Sequence, residues 1–200
     1  MKINLIWDDK KGIGFHPGTS DGIYDENYFN RYVELGVSEI GCKITDMRTR
    51  LVKKWINEAV NILDFGIGSG IFLQTLGRGY GYDINPCGVS WLKERNIFFD
   101  PYDHNVVENI CFWDTLEHVI DPINILNKVN NFVFMSIPIF DDLYSVLASK
   151  HFKPNEHFWY FTHDGLIQFM NHNGFLLEEY CNMEQDAGRQ GIKTYVFQRK

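Results

Sequence analysis

Two hundred residues, 44% apolar and 22% charged, suit one globular domain that buries about 70% of its unfolded surface. The net charge of −7 and the lack of a Lys/Arg run argue against a duplex nucleic-acid partner, which needs a basic footprint. No apolar stretch nears the roughly 20 residues that span a bilayer, and Met1 to Lys11 lacks the apolar run of a signal peptide.

Residues 1–24 are rich in glycine and turn formers (Gly12, Gly14, Pro17-Gly18) and read as an irregular arm. Asp25 can cap a helix through about Leu35, with Tyr28, Phe29 and Tyr32 at helical spacing. A second helix is predicted from about Thr45 to Ala59. Met47, Leu51, Val52, Trp55 and Ile56 form its stripe, and Arg48, Arg50, Lys53 and Lys54 lie opposite; Arg48 and Arg50 read either as a solvated face or as positive charge for a ligand's carboxylate or an acidic substrate. From Val60 the texture changes, and short apolar strands alternate with helices. Val60–Phe65 leads to a helix from Ser69, and Gly79–Asp83 to a helix from Pro86. Ile97–Phe99, Asn109–Trp113, a helix near Pro122–Val129, and Phe132–Ser136 follow. Such alternation predicts parallel βαβ units. A helix over His163–Asn173 then precedes Phe175–Tyr180 and Ile192–Gln198, which read as a closing hairpin around the turn-rich Glu184–Gly191.

Cys42, Cys87, Cys111 and Cys181 form no CxxC pair, so reduced thiols and a cytoplasmic location are expected. No His/Cys or His/carboxylate set has metal-ligand spacing, and no metal is expected.

The sharpest signal is Ile62-Leu63-Asp64-Phe65-Gly66-Ile67-Gly68-Ser69-Gly70. An apolar strand runs into Gly-x-Gly-x-Gly, where tight turning and close ligand approach both require bare backbone. Asp64 sits at the strand end, where a carboxylate is unwelcome unless it orients the turn or reaches a ligand's amino group. Asp83 ends the next strand and can accept hydrogen bonds from ribose hydroxyls. A dinucleotide site uses the longer Gly-x-Gly-x-x-Gly, which disfavours a nicotinamide-dependent oxidoreductase.

The stretch Leu63–Gly70 resembles the first motif of class I S-adenosylmethionine-dependent methyltransferases. Phe112-Trp113-Asp114-Thr115-Leu116-Glu117-His118-Val119, followed by Asp121-Pro122, is similar to the strand-four motif of a small-molecule group. That group contains ubiquinone-type O-methyltransferases and many sugar and natural-product enzymes. Ser136-Ile137-Pro138, Asn155-Glu156-His157, Phe161-Thr162 and Asn173-Gly174-Phe175 resemble the later parts of the same group. The resemblance implies an α/β, Rossmann-like, seven-stranded, mostly parallel sheet with a C-terminal antiparallel hairpin strand and helices on both faces. Residues 1–200 would form a single methyltransferase domain. Its arm and helices would occupy 1–59 and its cofactor-binding core 60–200, with a pocket loop at about 137–162.

S-adenosylmethionine is the implied cofactor and a small molecule the implied acceptor, methylated on O or N. Gly66, Gly68 and Gly70 would floor the site, Asp83 would take the ribose hydroxyls, and Ile84 would pack on the adenine. Tyr102 and Asp103 would border the adenine edge. Phe112 and Trp113 would flank the sulfonium, joined by Tyr28 and Tyr32 from the first helix, since aromatic faces favour a cation.

If a base is used, His118 and His157 are the candidates, one following strand four and the other in the pocket loop. His16, His104, His151, His163 and His172 read as surface or capping residues, and Glu117 equally as a helix-start acid or a catalytic one. Two alternatives remain: a non-catalytic adenosyl-binding module, which would lack an acceptor pocket, and a nucleic acid methyltransferase. The second would carry an Asn/Asp-Pro-Pro-Tyr/Phe motif or a Pro-Cys nucleophile after strand four, where the chain reads Phe-Trp-Asp-Thr instead.

Overall fold

The computed structural model describes residues 4–18 and 24–200; residues 1–3 and 19–23 of the predicted arm lie outside them. Within that arm Ile6–Asp8 (β1) and Ile13–Phe15 (β2) pair antiparallel, a correction to the irregular reading. Two three-residue strands are too short to print a period-2 pattern. Gly12, at φ +62°, donates from its backbone to the Asp8 carbonyl at 2.8 Å and closes the turn.

Glu26–Val37 (α1) starts at the predicted cap, with the Asp25 carboxylate accepting from the Tyr28 N–H at 2.8 Å. Glu39–Trp55 (α2) begins well before Thr45, because Ser38 both ends α1 and caps α2 through the Gly41 N–H. It stops at Trp55 because Ile56 turns extended. Leu63–Phe65 (β3), Ile71–Leu76 (α3), Tyr80–Tyr82 (β4) and Pro86–Glu94 (α4) follow, α4 capped by Asn85. Then come Ile110–Trp113 (β5), a 3₁₀ turn at Leu116–His118, Pro122–Leu126 (α5) and Phe132–Phe140 (β6). The chain closes with Leu143–Ala148 (α6), Trp159–Thr162 (β7), His163–His172 (α7), Phe175–Cys181 (β8), Met183–Asp186 (α8) and Ile192–Arg199 (β9).

β4, β3, β5 and β6 lie side by side and parallel. The predicted strand at 97–99 contributes a single parallel bridge, Phe98 to Gly81. From Phe132 to Pro138, β6 pairs antiparallel with β9, which carries β8 as the predicted hairpin. The tip of β6 leaves β9 and pairs parallel with β7, which holds β2 and β1 on its far side. About half of the expected loop at 137–162 is therefore helix and strand. Trp159, Tyr160 and Phe161 pack into the core there, with Tyr160 and Phe161 fully buried.

β5 and β6 are buried on both faces, so they read as near-continuous apolar runs, interrupted only at Ser136. Successive side chains still point to opposite sides. Ile110, Phe112, Val133 and Met135 join one core layer, and Cys111, Trp113, Phe132 and Phe134 the other, beneath α2 and α3. This alternation fixes which strand-end residues can share a pocket.

Candidate functional site

A pocket of about 580 Å³ opens at the carboxyl ends of β3, β4 and β5, where ligands sit in open α/β sheets. Its size lies within the usual small-ligand range. Gly66 and Gly68 form part of its lining, both at positive φ (+84° and +54°). A Cβ on Gly66 would lie 2.6 Å from the Thr115 side chain, so the turn can be made only with glycine. Gly70 has a different task. It precedes α3 at φ +74°, and a Cβ there would strike the Trp91 ring at 2.5 Å, so its place is in helix packing and not in the lining.

Asp83 lies one residue beyond β4, at the pocket. Its carboxylate accepts from the Asn85 N–H at 2.8 Å. Burial raises its pKa, while hydrogen bonds from the Asn85, Gly68, Ile84 and Ile67 backbones oppose that rise. It therefore laces the end of β4 to the glycine turn. Asp64 is 1% exposed, and its Oδ1 has no hydrogen-bond partner. Burial pushes its pKa up to about 8 against the pull of Arg48, with Asp83 adding to the rise. Ile84 and Tyr102 also line the pocket and stay open to solvent (58% and 45% exposed), beside Tyr82.

Another wall comes from α1. Tyr28 and Tyr32 stand one turn apart and so share a face; their rings are 4.9 Å apart, and Tyr24 meets Tyr28 edge to face at 5.1 Å. Trp113 lines the pocket too. Phe112 does not: it is fully buried in the other core layer, against Phe65. Neighbours on one strand face opposite ways, so the pair expected around one ligand atom is split.

Arg48 corrects the reading of a solvated face. Its side chain is 14% exposed and inserts beneath the pocket. Its Nε donates to Glu184 Oε1 at 2.7 Å, and its Nη2 to Asp114 Oδ2 at 2.9 Å and Ser136 Oγ at 2.8 Å. The guanidinium also stacks 4.9 Å from the Trp113 ring. Arg189 completes the network, donating to Asp114 at 2.7 and 3.0 Å and to Glu184. Burial would raise the Asp114 pKa, but the two guanidiniums hold it below the ordinary value. Asp114 adopts φ +57° just after β5, a conformation Asp tolerates better than most residues. Arg50 stays on the surface as expected, paired with Asp46. Glu184 and Arg189 carried no sequence signal, since they lie in a turn-rich stretch and look like surface charges.

His118 lines the pocket; His157 lies one layer behind it, 4% exposed, with ring centroids 4.5 Å apart. Burial lowers the pKa of both, that of His157 to about 2 with help from His118 and Lys153. Glu117 lies in the first turn of the 3₁₀ segment as expected but is 2% exposed, and burial lifts its pKa far above the ordinary value. The other five histidines lie outside the pocket lining. His16, His151, His163 and His172 are hydrogen-bonded to Gly18, Gln190, Tyr195 and Gln168, and His104 stacks on Phe99.

A family model described as a methyltransferase domain matches residues 37–180. Among curated proteins none matches the sequence. The fold is similar to that of a methyltransferase from Thermotoga maritima described as a possible histamine N-methyltransferase. Identity there is 14% and the TM-score 0.60, over 88% of this chain and 98% of that one. Magnesium protoporphyrin IX methyltransferase from Synechocystis, solved with bound SAH, gives 12% and 0.61 over 88% and 96%. A [4+2]-cyclase gives 10% and 0.58 over 82% and 83%. At such identities the likeness establishes the fold alone, and the cyclase shows that this fold does not fix the reaction.

Proposed function

The chain belongs to the methyltransferase-domain family and uses S-adenosylmethionine as cofactor, and we propose that it methylates an oxygen or nitrogen of a small-molecule acceptor. We read residues 1–200 as one working domain. The observation that carries the proposal is the joining of Gly66, Gly68, Asp64 and Asp83 in one pocket walled by tyrosines. When bound, the cofactor supplies an activated methyl group on a cationic sulfonium.

The chain's own residues suit that ligand. Gly66 and Gly68 offer bare backbone for it to lie on. Asp83 is held by backbone donors with its carboxylate at the pocket, placed to accept from ribose hydroxyls. Ile84, Tyr82 and Tyr102 give an apolar bed for the adenine. Trp113, Tyr28 and Tyr32 present ring faces to the sulfonium side, worth about 0.5–2 kcal/mol to a cation. The orphaned Asp64 oxygen is matched by the cofactor's amino group. The reaction needs nucleophile, methyl and sulfur in line, and α1 packs over the glycine turn, where a Cβ on Gly68 would lie 3.3 Å from the Tyr32 ring. The acceptor enters beside His118 and Val119, in an enclosure suited to a small molecule, and the charge of −7 disfavours a polyanion. The thiols Cys42, Cys87, Cys111 and Cys181 are all free, which supports a reducing, cytoplasmic setting. No helix among the described residues is long and apolar enough to cross a membrane.

Titration calorimetry tests the reading. The purified chain should bind S-adenosylmethionine and its demethylated product with micromolar-range affinity, and nicotinamide dinucleotides far more weakly. Preferential binding of the dinucleotide would sink it.

Asp64 gives a second expected result. Its carboxyl is protonated below about pH 8, whereas an α-ammonium loses its proton above about 7.7–8.0. The carboxylate–ammonium pair therefore needs a proton released on binding at lower pH and one taken up at higher pH. Cofactor affinity should peak near pH 8 and weaken on either side, approaching about tenfold per pH unit. Calorimetry in buffers of different ionisation enthalpy reads the proton directly. Asp64→Asn should flatten the acid limb, and an unchanged profile in that variant would remove Asp64 from the amino-group role.

A further inference from the structure

Glu117 and His118 form the 3₁₀ turn that leaves β5, and His157 sits just before β7. The Phe158 N–H donates to the Glu117 carbonyl at 2.8 Å, which fastens the two segments together. Three buried polar atoms of these residues have no hydrogen-bond partner: Glu117 Oε2, His118 Nδ1 and His157 Nδ1. Glu117 and His157 are 2% and 4% exposed. One ligating atom from each of the three residues lies within 4.8 Å of the others. Leaving a carboxylate oxygen and two imidazole nitrogens buried and unpaired is costly. A single divalent cation would satisfy all three at once.

We propose that Glu117, His118 and His157 form a binding site for a divalent transition-metal ion of the zinc class, set against the acceptor side of the pocket. Two imidazoles and one carboxylate match the donor preference of Zn²⁺ and its neighbours, and not that of Mg²⁺, which takes oxygen ligands. Ligand atoms around a tetrahedral zinc ion are about 3.4 Å apart, so the cluster closes onto the ion with side-chain shifts of about an ångström or less. Three protein ligands are the number found where a coordination position is kept open. His118 belongs to both the cluster and the pocket lining, so the ion sits one side chain behind the acceptor. Spacing along the chain did not group these residues, because His157 joins the other two only through the packing of β7 onto the turn after β5.

The ion's use in catalysis rests on the methyl-transfer reading; its binding does not. The test is therefore run without cofactor. Chelator-stripped full-length protein is titrated with ZnCl₂ and, separately, MgCl₂, and metal content is measured after desalting. One Zn²⁺ per chain, a Zn²⁺-dependent rise in Tm and no retained Mg²⁺ are expected. Glu117→Gln and His157→Asn should weaken Zn²⁺ binding at least about 100-fold, while His163→Asn, outside the cluster, should leave it unchanged. If either cluster variant fails to fold, the Co²⁺-loaded native protein decides. An intense visible spectrum of tetrahedral type supports the site, and the faint spectrum of an octahedral ion overturns it. The proposal also falls if the folded native chain retains no stoichiometric Zn²⁺, or if both cluster variants bind Zn²⁺ as well as the native protein does. Any of these failures would leave cofactor binding, and the function built on it, untouched.

Discussion

Replacing Glu184 by alanine should destabilise the fold by about 3–5 kcal/mol, the usual result of removing one partner from a buried ion pair. For a chain of this size that lowers Tm by roughly 6–20 °C. The Glu184 side chain is fully buried, and its carboxylate receives Arg48 at 2.7 and 2.9 Å as well as Arg189. Without it, two guanidiniums share only Asp114 among acidic partners, while remaining largely or partly desolvated (14% and 30% exposed). Glu184→Gln keeps the shape and some of the hydrogen bonding, so its loss should be smaller. Arg50→Ala serves as the control. Its pair with Asp46 is 71% and 57% exposed, and such surface pairs contribute about 1 kcal/mol or less. Thermal melts of the three variants read the ranking. Equal melting of Glu184→Ala and Arg50→Ala would show that the buried network does not hold the molecule together. Arg48, Asp114 and Arg189 all line the pocket, so the same substitution should also loosen cofactor binding in the fraction that remains folded.

That network marks the limit of what the sequence discloses. The glycine turn was legible because only glycine permits the backbone at Gly66, and the acid at Asp83 was legible because it ends the next apolar run. β5 and β6 were legible because strands covered on both faces are apolar nearly throughout. Other features depend on tertiary packing and leave no local mark. Arg48 sits on the polar side of the α2 stripe, as a solvated residue would. Only the fold reveals that this side leans over the sheet, where Asp114 and Glu184 receive it. β1, β2 and β7 are three or four residues long, too short to show a period, and are strands because each has a neighbour to pair with. The division between Phe112 and Trp113 follows from strand geometry and could have been read from the sequence once β5 was recognised. His118 follows the apolar run of β5 and His157 lies in the segment after β6, and that order along the chain is what made the pair legible. Glu117 turns inward beside them only through the 3₁₀ turn, which leaves no mark in the sequence.

Asp83→Ala should weaken binding of S-adenosylmethionine and its demethylated product by about 1.5–3 kcal/mol, the measured range for hydrogen bonds to a charged group. That is roughly 10- to 150-fold in Kd. Two effects act in the same direction. The ribose hydroxyls lose their charged acceptor, and the glycine turn loses the carboxylate that gathers the Gly68, Ile67, Ile84 and Asn85 backbone donors. Asp83→Asn separates them. It retains one oxygen to hold part of the turn, but has a neutral amide for the ribose. If preorganisation of the turn dominates, the asparagine variant should recover most of the affinity. If the charged acceptor dominates, it should bind almost as poorly as alanine. Melting curves of both variants are the necessary companion, because Asp83 is largely buried and its backbone bonds contribute to stability as well as to binding. A variant that melts like the native protein and still binds the cofactor with native affinity would take Asp83 out of the site. The adenosyl moiety would then be held by the apolar bed of Ile84, Tyr82 and Tyr102 alone.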